Sequence, residues 1–301
     1  MWSEILLIVC GIALLYGGAE LLVRACVAVA ERLGLSPMLI ALTVVSFVTS
    51  MPEGVTSIVA QTKELPDVAM GNIIGSTAAN IGLVLAIALL IRPPDRKVSS
   101  EIQPLVIMIG ALFFLWALLL LGPIGPWKGT LAITLLLAYL TWQVRHVPRT
   151  AARRSRPLFR SFLFLIIGVV MLTLGAEGLI TGGVSLGERL GLSNRIIGLT
   201  VVAIGTSLPE LATAIIASMR RHTDVIVGNV IGSNLFNCLF VVALASFVAP
   251  VVASPRMAHV DAPVSIALSL MLLAFALFRL PGRLIGGAIL VSYLIYLFLA
   301  S

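Results

Sequence analysis

Long apolar runs separated by short polar stretches make up almost the whole chain. Read in order, they give ten candidate helices near 3–25, 35–61, 68–91, 103–121, 127–146, 160–183, 193–219, 225–249, 260–279 and 283–300. Each is long enough to cross the hydrocarbon layer of a bilayer, which takes about 20 apolar residues in an α-helix. The pattern predicts an all-α polytopic membrane protein with ten transmembrane helices. The first run follows directly on Met-Trp-Ser-Glu, with no basic segment ahead of it. It therefore reads as a span rather than a cleaved signal peptide.

Composition excludes the soluble alternatives. Hydrophobic residues are 59% of the 301 positions and charged residues 11%, against roughly 45–50% and about 25% in a soluble domain. The net charge of +7 would point to nucleic acid in a soluble protein; here it points to basic cytoplasmic loops, and no nucleic-acid partner is expected. The stretch from 145 to 160, RHVPRTAARRSRPLFR, is the clearest loop, and 147–159 is read as a basic linker. With this loop in the cytoplasm, 15 of the 20 basic residues fall on the inside and 5 on the outside. The positive-inside rule then sets both termini on the extracytoplasmic side of the cell membrane. Cys10, Cys26 and Cys238 sit in apolar runs and form neither a disulfide framework nor a thiolate site.

The chain also repeats itself. Residues 18–80 align without a gap to 175–237 at a constant offset of 157, and 31 of the 63 positions are identical. ERLGLS recurs at 31–36 and 188–193, VTSMPE at 48–53 pairs with GTSLPE at 205–210, and GNIIGSTAAN at 71–80 pairs with GNVIGSNLFN at 228–237. Five spans separate equivalent positions, an odd number, so the copies enter the membrane in opposite senses. The expected layout is two inverted five-helix repeats, 1–146 and 160–301, with cores at 35–91 and 193–249. Secondary transporters are commonly built this way, with the substrate site at the midplane between the repeats.

The repeated segments hold the polar chemistry. Glu53 and Glu210 lie mid-span, and ionisable groups at that depth are costly and usually functional. Each follows a proline, Pro52 or Pro209, which lacks an N–H and disturbs the carbonyl four residues back, at Val48 or Gly205. Thr49 and Thr206 lie four residues before the glutamates and share their face. Ser76 and Asn80, and Ser233 and Asn237, add oxygens on the next span of each copy. Two carboxylates with hydroxyl, amide and carbonyl oxygens make a site for hard cations: calcium takes six to eight such ligands, magnesium demands stricter geometry, and sodium also fits. His146, His222 and His259 all lie at loops or span ends, against a soft-metal site.

The paired GTSLPE-like and GNIIGS-like segments resemble the two alpha-repeats of the calcium/cation antiporter family, whose best-known members are sodium/calcium exchangers. The resemblance covers both repeats and most of the chain. It implies Glu53 and Glu210 as shared carboxylate ligands and side-chain oxygens from Ser50, Ser76, Asn80, Ser207, Ser233 and Asn237. It further implies backbone or hydroxyl contacts at Thr49 and Thr206, and backbone carbonyls at Ser46 and Ala203. The implied activity is alternating access, with sodium ions and calcium competing for overlapping sites while helices one and six slide over the rest. No His is close in sequence to a candidate Ser and no H-E-x-x-H motif exists, so the chain is not expected to be an enzyme; it is expected to work as a monomer and to need no cofactor. Asn237 stands where potassium-dependent relatives carry Asp, which disfavours potassium co-transport. Proton/calcium exchange is the second reading, and a polytopic membrane enzyme or a channel the remote ones. Glu20 and Glu177, also paired by the repeat, read as structural or gating groups, with Arg24 one turn beyond Glu20 as its partner.

Overall fold

Helix ends follow the turn chemistry of the sequence. Gly34, at φ 64°, closes the first helix, and the Leu35 N–H returns to the Ala30 carbonyl at 2.9 Å. Ser36 then caps the second helix, its hydroxyl accepting from the Leu39 N–H at 3.2 Å, with Pro37 at the first helical position where no N–H is needed.

The computed structural model describes residues 2–93, 102–146, 157–190, 205, 207–278 and 280–300. Among them run the helices α1 (Trp2–Leu33), α2 (Pro37–Thr62), α3 (Pro66–Ile91), α4 (Ile102–Leu120) and α5 (Pro126–His146). The second half has α6 (Leu158–Arg189), α7 (Leu208–Met219), α8 (Thr223–Val248), α9 (Met257–Phe278) and α10 (Gly282–Ala300). One antiparallel bridge, Ile124 with Val251, is the exception to a nearly all-helical, polytopic membrane fold. Eight of these helices are long and apolar enough to cross a membrane. The others are α5, whose 21 residues include Lys128, Gln143 and Arg145, and the short α7. The part of the expected 193–219 span that precedes α7 lies outside the described residues, apart from Gly205 and Ser207, and so does 147–156 of the linker.

Two features were not read from the apolar runs. First, α1 and α6 are 32 residues long each, about 48 Å at the α-helical rise, well beyond the runs 3–25 and 160–183. Second, wider π-helical turns interrupt α2 at Ala41–Val45, α3 at Asn80–Leu85 and α8 at Phe236–Val241. The turns in α3 and α8 overlap when shifted by the repeat offset.

Packing places the polar segments in the middle. α3 and α8 are the most enclosed spans; α8 packs along α2 and α3, and α7 packs against α3. α1 and α6 form the most extensive helix pair. A Cβ at Gly11 would sit 2.7 Å from the Gly175 carbonyl, and one at Gly18 2.7 Å from the Gly168 carbonyl. Small residues let backbones touch where lipid supplies no hydrophobic drive. The order of these contacts also shows that α1 and α6 run antiparallel.

Candidate cation site

The Pro-Glu segments start helices at matching points. Ser50 has φ −85° and ψ 0° between the two parts of α2, and Ser207 has φ −94° and ψ 9° just before α7. Both fall in the sparsely populated bridge region. The Ser50 N–H still reaches the Ser46 carbonyl at 2.9 Å and the Gly54 N–H the Ser50 carbonyl at 3.1 Å. Proline sits at the start of each following helix, where its missing N–H costs nothing. Glu53 and Glu210 therefore occupy the first turns of helices that begin inside the protein. There the helix dipole favours negative charge.

Both glutamates are buried, at 1% and 0% exposure. The two lie near enough for their charges to interact. Around them lie Ser46, Thr49, Ser50, Ser76, Asn80, Ser207, Ser233 and Asn237, every one buried. Links between the two copies draw these residues together. The Ser46 hydroxyl lies 2.9 Å from the Asn229 carbonyl, the Thr49 hydroxyl 3.4 Å from Asn229 Oδ1 and 3.5 Å from Ser233 Oγ, and Asn80 Nδ2 donates to Asn234 Oδ1 at 3.0 Å. Ser76 sits one helical turn before Asn80 and accepts its backbone N–H. Ala203 and Thr206 lie outside the described residues.

The decisive property of this cluster is what its atoms lack. Ser50 Oγ, both oxygens of Glu53, Asn80 Oδ1, Ser207 Oγ, both oxygens of Glu210 and the whole Asn237 amide are buried without a hydrogen-bond partner among the described residues. A buried polar atom left unpaired costs about 1–3 kcal/mol, and more when charged. The orphaned atoms are overwhelmingly oxygens, and both repeat copies supply them. A donor set of carboxylate, hydroxyl and amide oxygens fits a hard cation and offers nothing to a soft one.

Sequence reasoning passed over the buttresses of this cluster. Asn72 Nδ2 donates to the Glu53 carbonyl and to Ser57 Oγ, both at 3.0 Å. Asn229 receives the Ser46 and Thr49 hydroxyls. Asn234 donates to the Thr77 carbonyl at 3.4 Å while accepting from Asn80. Asn72 and Asn229 are identical between the copies, and that identity is the signal that could have found them. Supporting hydrogen bonds of this kind are worth about 10- to 100-fold in metal affinity. Asn72→Ala is thus expected to raise the calcium concentration for half-maximal uptake about tenfold without lowering the yield of folded protein; a concentration series of calcium uptake checks it.

This geometry agrees with what the chain is similar to. The family model described as sodium/calcium exchanger protein matches residues 3–145 and 160–301. The chain belongs to the sodium/calcium exchanger family. Among exchanger-family relatives, the putative antiporter CaxA of Alkalimonas amylolytica is 31% identical over 96% of this chain and 96% of its own length. The sodium/calcium exchanger MaX1 of Methanosarcina acetivorans is 26% identical, with 90% of each chain covered. Among solved exchangers, NCX_Mj soaked with sodium and strontium superposes with a TM-score of 0.88 at 30% identity, over 99% of this chain and 98% of that one. Exchanger-family membership carries the activity class, cation/calcium antiport across a membrane.

Proposed function

We propose that this protein exchanges sodium for calcium by alternating access, with Glu53 and Glu210 as ligands shared by the competing ions. The observation that carries the reading is that both repeat copies bury unpartnered oxygens, two carboxylates among them, in segments tied to each other by the Ser46–Asn229, Thr49–Ser233 and Asn80–Asn234 contacts. Two carboxylates balance one divalent cation, and the remaining oxygens of Ser50, Ser76, Asn80, Ser207, Ser233 and Asn237 complete a flexible calcium shell. Thr49, Thr206 and the carbonyls of Ser46 and Ala203 extend it to sites for sodium. The relatives called sodium/calcium exchanger and the NCX_Mj structures soaked with sodium and strontium favour these ions.

The scaffold in this reading is ten spans in two inverted five-helix repeats, 1–146 and 160–301, joined by the cytoplasmic linker 147–159. The antiparallel run of α1 and α6, helices equivalent by the repeat, supports inversion. The orientation rests on charge: with both termini outside the cell membrane, 15 of the 20 basic residues lie on the cytoplasmic side.

Calcium uptake into proteoliposomes tests the proposal. An outward-directed sodium gradient is expected to drive calcium accumulation, independent of potassium and of an imposed pH gradient. Accumulation driven by a pH gradient in sodium-free buffer would replace sodium with protons as the coupling ion. Downhill calcium flux with no counter-ion dependence would make the protein a channel and end the antiport reading.

A further inference from the structure

The ion pairs that tie the α1–α6 pair to its neighbours differ between the two repeat copies. On one copy, Glu20 of α1 is gripped from outside its helix. Arg220, just past the end of α7, donates Nη2 to Glu20 Oε1 at 2.5 Å and Nε to Oε2 at 3.0 Å. Arg24, one turn along α1, pairs with the same carboxylate. Shifted by 157, Glu20 becomes Glu177 on α6 and Arg220 becomes Lys63 at the end of α2.

Lys63 and Arg220 sit on the same helix cap. The next residues, Glu64 and Arg221, are both left-handed, with φ 58° and 64°. The N–H groups of Leu65 and His222 both return to the carbonyls of Ala60 and Ala217 at 2.9 Å. The local structure that presents the cation is thus duplicated, yet the contact is not. Glu177 and Lys63 are both exposed, and neither has an ion-pair partner among the described residues. Packing is unequal in the same sense: α1 lies along α7, whereas α6 makes no comparable contact with the Met51–Thr62 part of α2.

We propose that these four residues form a two-position latch, in which Glu20–Arg220 holds the arrangement of α1 and α6 described above and Glu177–Lys63 replaces it in the opposite access state. The proposal rests on the alternating-access reading above and names the residues that hold each end of the cycle. Inverted copies put the two pairs on opposite membrane faces, so closing one face accompanies opening the other. The two positions are unequal by construction. Arg220 binds bidentately, while Lys63 offers a single point charge. Arg24, which adds to the grip on Glu20, has no counterpart in the second copy, since position 181 is Thr. Both differences weight the equilibrium toward the Glu20–Arg220 side.

Crosslinking in proteoliposomes tests this, in protein whose Cys10, Cys26 and Cys238 are changed to Ala. A short bis-thiosulfonate reagent is expected to join the pair Glu20→Cys/Arg220→Cys and, more slowly, the pair Lys63→Cys/Glu177→Cys. Each link should stop calcium uptake, and reduction should restore it. Partly exposed ion pairs are worth less than about 1 kcal/mol, so adding Arg220→Gln to the second pair should speed its linking about two- to fivefold. The exchange Glu20→Arg/Arg220→Glu, which rebuilds the pair reversed, should return the rate toward that of the parent and excludes a general loosening of the fold. A 63/177 pair that never links, links without stopping uptake, or links at a rate indifferent to Arg220→Gln overturns the latch. Linking rates that respond as expected in protein showing no counter-ion-driven uptake would leave the latch standing and sink the antiport reading instead.

Discussion

Changing Glu53 or Glu210 to Gln is expected to lower gradient-driven calcium uptake about 100-fold or more, with each single variant nearly as severe as the double. Glutamine keeps the shape of glutamate and removes one charge. A divalent ion between two buried carboxylates then keeps an uncompensated positive charge in a site closed to water. Removing one partner from a buried charge pair costs about 3–5 kcal/mol, which is the stated factor in affinity. No neighbour can make up the loss, because the other buried polar side chains described on α2, α3, α7 and α8 are all neutral hydroxyls or amides. Glu64→Gln, an exposed carboxylate outside the cluster, is the control and should leave uptake within twofold. Sodium self-exchange offers a second reading of the same variants: a single remaining carboxylate still balances a monovalent ion, so sodium flux should fall less than calcium flux. Calcium uptake within a few-fold of the parent in either Gln variant would remove these residues from the transport path.

How far this site could be read before the fold was known depends on what each signal measures. The break at Ser50 and the helix start after Ser207 were legible because proline announces them chemically, and duplication separates a functional carboxylate from an accidental one. Burial of Ser46, Thr49 and Asn80 followed from their place in an apolar span. The true length of α1 was not legible. Glu20, Arg24 and Glu31 lower the hydropathy along the second half of α1, but the helix runs on to Leu33 and stops only where Gly34 takes up a left-handed conformation. Hydropathy locates the membrane boundary, and turn chemistry locates the helix boundary. The π-turns at Asn80–Leu85 and Phe236–Val241 left no trace because both spans are enclosed by protein on most sides and carry no single apolar stripe, so one extra residue in a turn shifts no visible pattern. Asn72 and Asn80 share an amide and a repeat. Only distance reveals that the first props the Glu53 carbonyl while the second turns an unpaired oxygen inward.

Gly232→Ala is expected to cost at least about tenfold in calcium uptake, although a methyl group is the smallest side chain that can be added. Gly228 and Gly232 are one turn apart on the face of α8 that meets α2. A Cβ at Gly228 would stand 2.5 Å from the Met38 carbonyl, and one at Gly232 would overlap both the Ser46 hydroxyl and the Leu42 carbonyl. The backbone carbonyl cannot rotate away, so α2 has to shift. Ser46 begins the turn that leads through Ser50 to Glu53, and calcium–oxygen contacts operate within a few tenths of an ångström, at about 2.3–2.6 Å. Misplacing a ligand-bearing segment by roughly 1 Å can lose two orders of magnitude in a reaction that depends on alignment. Overpacking itself costs only about 1–3 kcal/mol, so the variant should still fold, with a modest fall in melting temperature. Adding Ser46→Ala to Gly232→Ala removes the hydroxyl but leaves the Leu42 carbonyl in the way, and should recover part of the flux. Gly110→Ala, where a Cβ would meet nothing within 4 Å, should match the parent in both melting temperature and uptake. If Gly232→Ala also matched the parent, the close crossing of α2 and α8 would not be what sets the ligand geometry, and the site would have to tolerate a looser frame than its unpaired, fully buried oxygens imply.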